Sequence, residues 1–201
     1  MFDATLRPVV DRCCSGAGRW LANRGVSASV VSIIGFGFGV LAAFAIVNGL
    51  MMLAFCLIML NRICDGLDGA VARATHPTDF GGFLDITLDF VFYAMIPFAF
   101  AIHDPANAIA ACFLIFSFFG TGVTFLGFAV MAERRGLQTE VRGKKSFYYL
   151  GGLTEGAETI IILLLMTLTP DWFVYYAYLF GALCWITASF RTYEAYQKLP
   201  N

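Results

Sequence analysis

The sequence predicts an all-α integral membrane protein, a bundle of six transmembrane helices preceded by an N-terminal amphipathic helix that lies on the membrane surface. Three observations lead there. Of the 201 residues, 59% are hydrophobic and only 13% charged, about half the charged fraction of a soluble domain. The apolar residues gather into six runs, each long enough at roughly 20 residues to cross a hydrocarbon layer as a helix. The basic residues avoid every second connection between those runs. Six such helices with short connections take up nearly the whole chain, so residues 1–201 form one domain, with 1–24 as the juxtamembrane helix and 25–195 as the spans.

Residues 1–24 set Arg7, Arg12, Arg19 and Arg24 among Phe2, Leu6, Val9, Val10, Trp20 and Leu21, a mixture suited to the membrane interface. No apolar core follows an early basic cluster within the first fifteen residues, so the segment does not read as a cleavable signal peptide. The first span, about residues 26–48, contains Gly35, Gly37 and Gly39. Its Gly35-x3-Gly39 face lets another helix approach closely, and a homodimer is one setting for that. The second span, about 49–74, begins apolar and ends in a polar, carboxylate-bearing stretch. The third, about 80–102, begins with two more carboxylates and then turns apolar through Phe90, Val91, Phe92 and Phe98. The fourth, about 106–131, leads into the longest polar connection, with Glu133, Arg134, Arg135, Gln138, Glu140, Arg142, Lys144 and Lys145. The fifth, about 146–168, carries Thr154, Glu155, Glu158 and Thr159 in its first half, and the sixth, about 172–190, precedes a polar tail.

Orientation follows from Lys and Arg, whose excess in short loops marks the cytoplasmic side. The connections near Asn48, near His103–Asp104–Pro105 and near Pro170–Asp171 contain none. Both termini and the carboxylate-bearing bend are therefore expected in the cytoplasm. The six cysteines include no C-x-x-C pair, and neither a disulfide framework nor a zinc site is expected. His76 and His103 read as loop residues. A net charge of −1 gives no reason to expect a nucleic-acid partner; membrane lipids are the expected surroundings.

The stretch on which the rest converges runs from Asp65 to Asp89. Asp65 and Asp68 stand one helical turn apart before a turn-rich segment containing Pro77, and Asp85 and Asp89 stand one turn apart after it. Such spacings put each pair on one face of its helix. With the two helices antiparallel about the bend, the four carboxylates meet at one depth, roughly 12–14 Å from it at 1.5 Å per residue. Charges inside a span cost roughly 2.5–3.5 kcal/mol each on insertion scales. Cations that neutralise the cluster remove that penalty, and hard divalent ions prefer oxygen ligands of this kind. One or two Mg²⁺ or Mn²⁺ ions are the expected cofactor. Glu155 and Glu158, one turn apart inside the fifth span, are expected to face the bundle interior.

The pattern D-x2-D-G-x2-A-R followed by G-x3-D-x3-D, formed by Asp65, Asp68, Gly69, Ala72, Arg73, Gly81, Asp85 and Asp89, resembles the signature of the CDP-alcohol phosphatidyltransferase family. Arg73 and Gly81 enclose seven residues, one fewer than is usual there. The chain looks closest to short bacterial members of the inner membrane. The resemblance implies a phosphatidyl transfer from CDP-diacylglycerol to a small alcohol, with release of CMP in phospholipid biosynthesis. It implies Asp65, Asp68 and Asp85 as metal ligands, Asp89 as a metal-contacting general base, and Gly69, Ala72, Arg73 and Thr78 as the CDP-binding set. The acceptor is expected between the cluster and the start of the fifth span, against Lys144, Lys145, Thr154 and Glu155. Three cations within residues 142–145 favour a phosphorylated acceptor such as glycerol 3-phosphate, whereas Glu155 and Glu158 suit an amino alcohol or polyol.

Two other functions compete. A divalent-cation transporter would need an ion pathway, but outside the cytoplasmic half the only carboxylates are Asp104 and Asp171, both in loops. A non-catalytic membrane scaffold would leave the intact motif without a purpose.

Overall fold

The computed structural model describes residues 3–135 and 152–199, with the side chains of the first helix from Arg12 onward. Among these residues the structure is all helix. The helices are α1 (Asp3–Asn23), α2 (Ala28–Val47), α3 (Met51–Ala74), α4 (Asp79–His103), α5 (Ala108–Arg134), α6 (Gly156–Leu168) and α7 (Phe173–Lys198). One-turn 3-10 segments at Pro105–Asn107 and Pro170–Trp172 lead into α5 and α7.

Local chemistry sets most of these boundaries. Gly25 and Gly49 adopt φ of +79° and +73°, a left-handed conformation that glycine reaches without a Cβ clash; they reverse the chain before α2 and α3. Ser27 and Thr78 cap α2 and α4, accepting the N–H groups of Val30 and Gly81, which satisfies donors a helix start otherwise leaves open. Two boundaries depart from expectation. The polar tail continues as helix, so α7 runs to Lys198. The fifth apolar segment forms a helix of only 13 residues. Thr154 and Glu155 precede its first turn, and residues 146–151 of the expected span lie outside the described residues.

Among the described residues, four helical segments are long and apolar enough to cross a membrane: α2, α4, α5 with its leading turn and α7 with its leading turn. The protein is therefore an all-α integral membrane protein. Of the remaining helices expected to span, α3 has the length but carries Arg62, Asp65, Asp68 and Arg73, and α6 is apolar but short.

In lipid the hydrophobic effect does not drive helices together, so close packing must hold them. The pairings are α2 with α3 and α4, α5 with α4 and α7, and α1 and α6 with α3. Small residues permit them. A Cβ placed on Gly35 would lie 2.7 Å from Cys64 Cβ, and one on Gly39 would lie 2.7 Å from Phe92 Cδ2, whereas Gly37 faces open space. The glycine face of α2 is thus taken up inside the chain by α3 and α4, not left for a second copy. A Cβ on Gly18 would lie 2.5 Å from Ala70 Cβ, so α1 rests directly on α3 beside the carboxylate motif. The apolar core joins Ile46, Ile58, Phe92, Phe100, Leu114, Met166 and Phe173 from α2 to α7, with the rings of Phe100 and Phe173 stacked at 4.5 Å.

Candidate active site

The short link 75–78 reverses the chain, and α3 and α4 both pack against α2, which brings their carboxylates together. Carboxylate oxygens of Asp65, Asp68 and Asp85 lie within 4.8 Å of one another. Together with Ser32, Asn61, Arg62 and Asp89 they line a cleft of about 20 Å³, room for one water-sized species. Asp68 is buried, and Ser32 on α2 donates its hydroxyl to Asp68 Oδ2 at 2.6 Å. This fixes the carboxylate that α3 turns furthest inward.

Asp89, the fourth carboxylate of the motif, lines the same cleft but stands outside the close group of three. Its Oδ1 accepts from Arg62 Nη2 at 3.0 Å, and its Oδ2 accepts from the Tyr93 hydroxyl at 3.3 Å. Arg62 also approaches Asp65, with Nη1 to Oδ2 at 3.7 Å. Its Nε donates to Asn61 Oδ1 at 2.8 Å, and buried Asn61 donates in turn to the Gly35 carbonyl at 2.8 Å. The guanidinium lies over the Phe92 ring, 4.9 Å from its centroid. Sequence reasoning passed over Arg62, Asn61, Ser32 and Tyr93. A signal existed for Arg62, because an ionisable residue in the middle of an apolar run is by default a functional candidate.

A second cavity of about 210 Å³ adjoins the cleft and also has Asp89 in its wall. Thr154 and Glu155 line it, as does Arg191 of α7. Thr154 donates through both its N–H and its hydroxyl to Thr187 Oγ1, at 3.1 and 3.0 Å. Glu155 Oε1 accepts the Gly152 N–H at 3.1 Å, while Glu158 Oε2 accepts the Glu155 N–H at 3.2 Å. Glu158 thus supports the start of α6. Buried Arg191 donates to the Thr121 carbonyl at 3.3 Å and lies over the Phe125 ring, 5.6 Å from its centroid. Arg191 was not singled out from the sequence, where it sits at the edge of an apparent polar tail. Lys144 and Lys145 fall outside the described residues.

The residues expected to bind CDP lie toward the bend. A Cβ on Gly69 would come within 3.1 Å of Arg73 Nη1, so the Arg73 side chain runs along the bare backbone at Gly69. Ala72 is half-buried on the same helix. Thr78 Oγ1 accepts the Gly81 N–H at 3.1 Å, which gives that hydroxyl a capping role of its own.

Residues 26–191 match the family model described as CDP-alcohol phosphatidyltransferase. The chain belongs to that family. It is 45% identical to the inner membrane protein YnjF of Escherichia coli, over 100% of this chain and 98% of that protein. It is 31% identical to an archaetidylinositol phosphate synthase of Pyrococcus horikoshii, over 96% of each. The fold is shared with Mycobacterium tuberculosis phosphatidylinositol phosphate synthase (PgsA1) in its CDP-DAG-bound crystal structure, with a TM-score of 0.73, 24% identity and coverage of 92% of this chain and 94% of that one. A second structure of the same enzyme, in complex with manganese and citrate, matches with a TM-score of 0.71 and 24% identity over 91% of this chain and 88% of that one. The acidic pairs of α3 and α4 lie within the matched residues.

Proposed function

We propose that this protein transfers a phosphatidyl group from CDP-diacylglycerol to a phosphorylated small alcohol, with release of CMP. The observation that carries the reading is the position of Asp89, which forms part of the wall of both the acidic cleft and the larger cavity. An acceptor hydroxyl in that cavity meets a carboxylate whose other side faces the cluster of three.

Asp65, Asp68 and Asp85 fit a hard divalent cation, since they offer oxygen ligands only, at close quarters around an ion-sized space. Mg²⁺ or Mn²⁺ bound there offsets the charge of a diphosphate and of its leaving group. Ser32 orients Asp68 for that task. Asp89 takes the proton from the attacking hydroxyl, with Tyr93 and Arg62 holding its two oxygens in place. Arg73 pairs with a phosphate of the CDP moiety. Gly69 and Ala72 let the nucleotide approach the backbone, and Thr78 contributes from the bend. Thr154, Glu155 and Arg191 line the acceptor's place, with Lys144 and Lys145 supplying further cations from the loop before α6. A buried arginine suits a phosphate, so glycerol 3-phosphate and an inositol phosphate are the two acceptors to test first. The latter gains weight from the name of the Pyrococcus relative.

All six helices from α2 to α7 cross the membrane in this reading. The links 48–50, 75–78, 104–107 and 169–172 are too short for anything but antiparallel neighbours. None of these links contains Lys or Arg, but Arg73 lies in the last turn of α3 beside the bend 75–78, whereas the other three links have no flanking Lys or Arg; this supports an acidic cleft that faces the cytoplasm from a bacterial inner membrane.

The test is CMP release from CDP-diacylglycerol by purified protein in detergent, against a panel of acceptors, with and without Mg²⁺ or Mn²⁺. The expected result is release that needs both a metal and one phosphorylated acceptor. Failure with every acceptor, or release that survives chelation, overturns the reading and returns the transporter and scaffold to consideration.

A further inference from the structure

We propose that the notch between α7 and the residues leading into α6 binds one phospholipid whose headgroup carries a phosphodiester and a primary ammonium. An acyl chain lies against Ile186 and Phe190, and the headgroup sits on Glu194 and Lys198. The site is separate from the acidic cleft and from the acceptor cavity. It rests on the proposed six-span orientation only for the leaflet from which the lipid comes.

A cavity of about 340 Å³ lies here, lined by Gly152, Leu153, Ile186, Thr187, Phe190 and Glu194. Its size falls within the roughly 300–1,000 Å³ of sites that hold small molecules. Leu153, Ile186 and Phe190 are exposed, so apolar side chains border it on the side where acyl chains meet a membrane protein. A Cβ on Gly152 would collide with Thr187 Cγ2; the bare backbone lets the chain before α6 lie directly on α7 and close the inner end of the notch. Along α7, Ile186, Phe190, Glu194 and Lys198 recur every four residues and share one face. That face rises about 18 Å from Ile186 to Lys198 at 1.5 Å per residue, a little more than one leaflet's share of a hydrocarbon layer of about 30 Å. The order apolar, apolar, acidic, basic is that of a lipid read from its chain to its headgroup.

The charges select the headgroup. Glu194 Oε2 and Lys198 Nζ stand 3.6 Å apart, with both side chains partly exposed. That is longer than the roughly 2.7–2.9 Å of a charge-assisted hydrogen bond, and exposed pairs of this kind contribute little to stability. A headgroup with opposite charges of its own can therefore insert, its phosphodiester meeting Lys198 and its ammonium meeting Glu194. A primary ammonium donates hydrogen bonds to the carboxylate. A trimethylammonium has no N–H to give and relies on aromatic faces, of which the cavity has only Phe190 among the described residues. A glycerol headgroup offers Glu194 no cation, and a serine headgroup sets a second carboxylate beside it. The same notch shares a wall with the acceptor cavity: Thr187 accepts from Thr154, and Gly152 donates to Glu155. A lipid in place covers the outer side of that wall.

The experiment is native mass spectrometry of full-length, delipidated protein in detergent, titrated separately with phosphatidylethanolamine, phosphatidylcholine and phosphatidylglycerol of identical acyl chains. Phosphatidylethanolamine is expected to bind about tenfold more tightly than either of the others, the worth of hydrogen bonds to a charged group. Glu194→Gln should remove that preference. Ile186→Trp, which fills the notch, should weaken phosphatidylethanolamine binding by a similar factor, whereas Phe98→Trp, on the exposed face of α4, should leave it unchanged. Equal binding of the three lipids by the wild-type protein, or a preference for phosphatidylglycerol, overturns the proposal, and neither depends on whether a variant folds. A phosphatidylethanolamine preference that survives both Glu194→Gln and Ile186→Trp also overturns it. Binding is read without CMP release, so a failed transfer assay leaves this result standing, and thiol labelling at Lys198 tests the orientation separately.

Discussion

Ser32 donates its hydroxyl to Asp68 across 2.6 Å, tying the middle of the acidic motif on α3 to a helix that contributes no carboxylate. Groups that orient a metal ligand are typically worth about 10- to 100-fold in metal affinity. Ser32→Ala should weaken Mn²⁺ binding by about that factor while leaving thermal stability nearly unchanged, and Ser32→Thr should restore part of it. Calorimetric titration checks both. Unchanged affinity in Ser32→Ala would show that Asp68 needs no such support.

Asp85→Asn and Asp89→Asn should each abolish transfer and leave a folded protein, for different reasons. The first removes a charge from the close group of three. The second removes the proton acceptor, and general-base catalysis contributes about 10²- to 10⁴-fold. The measurement is single-turnover CMP release beside a thermal melt in detergent. More than a few per cent of activity in both variants would sink the shared site.

For the acceptor cavity, Arg191→Ala is expected to raise acceptor KM by about 10- to 100-fold, the worth of hydrogen bonds to a charged group, with donor KM unchanged. Lys144→Ala, Lys145→Ala and Glu155→Gln should move the same constant by smaller factors. Steady-state kinetics with both substrates varied distinguishes acceptor loss from a general defect. If acceptor KM and kcat hold in all four, the acceptor binds elsewhere.

The glycine contacts of α2 give a stability prediction. A Cβ at Gly35 meets Cys64 Cβ at 2.7 Å, while one at Gly37 meets nothing within 4 Å. Gly35→Ala should cost about 1–3 kcal/mol through forced separation of α2 and α3, and Gly37→Ala should cost nothing measurable. Adding Cys64→Gly should rescue the first. Unfolding of the purified protein in a denaturing detergent provides the readout.

The proposed six-span topology predicts that thiols introduced at Asn107 or Asp171, in a cysteine-free background, react with an impermeant reagent in spheroplasts. One at Lys198 should be spared. Labelling at Lys198 from outside would place the C-terminus on the wrong side and discard the cytoplasmic site.

The meeting of Asp65 and Asp68 with Asp85 was legible in the sequence from helical spacing and one short bend, both local properties, although α2, packed against both helices, holds α3 and α4 together. What escaped were the residues whose importance arises from neighbours remote in sequence. Asn61 matters through the Gly35 carbonyl on α2, and Arg62 through Asp89 on α4. Arg191 matters because α7 stays helical past its apolar stretch and returns the side chain to the Thr121 carbonyl. The Gly35 and Gly39 face was read correctly as a close-approach surface, but periodicity cannot say whether the approaching helix belongs to the same chain. The expected start of the fifth span failed for a local reason: hydropathy averages over Gly152, Thr154 and Glu155, and capping by Glu158 places the first helical turn after them.

The shortness of α6 bears on where the chemistry meets the bilayer. At 1.5 Å per residue its 13 residues rise about 20 Å, some 10 Å less than a hydrocarbon layer of about 30 Å. With α6 as a span, this mismatch sinks the backbone at Gly152, Thr154 and Glu155 below the headgroup plane. Irregular backbone survives at such depth only where protein satisfies it or water reaches it. Both hold at this point, with the N–H groups of Gly152, Thr154 and Glu155 taken by side chains and the cavity alongside. In the proposed six-span reading, this would let a lipid donor present its diphosphate to the acidic cleft with its acyl chains still in the leaflet.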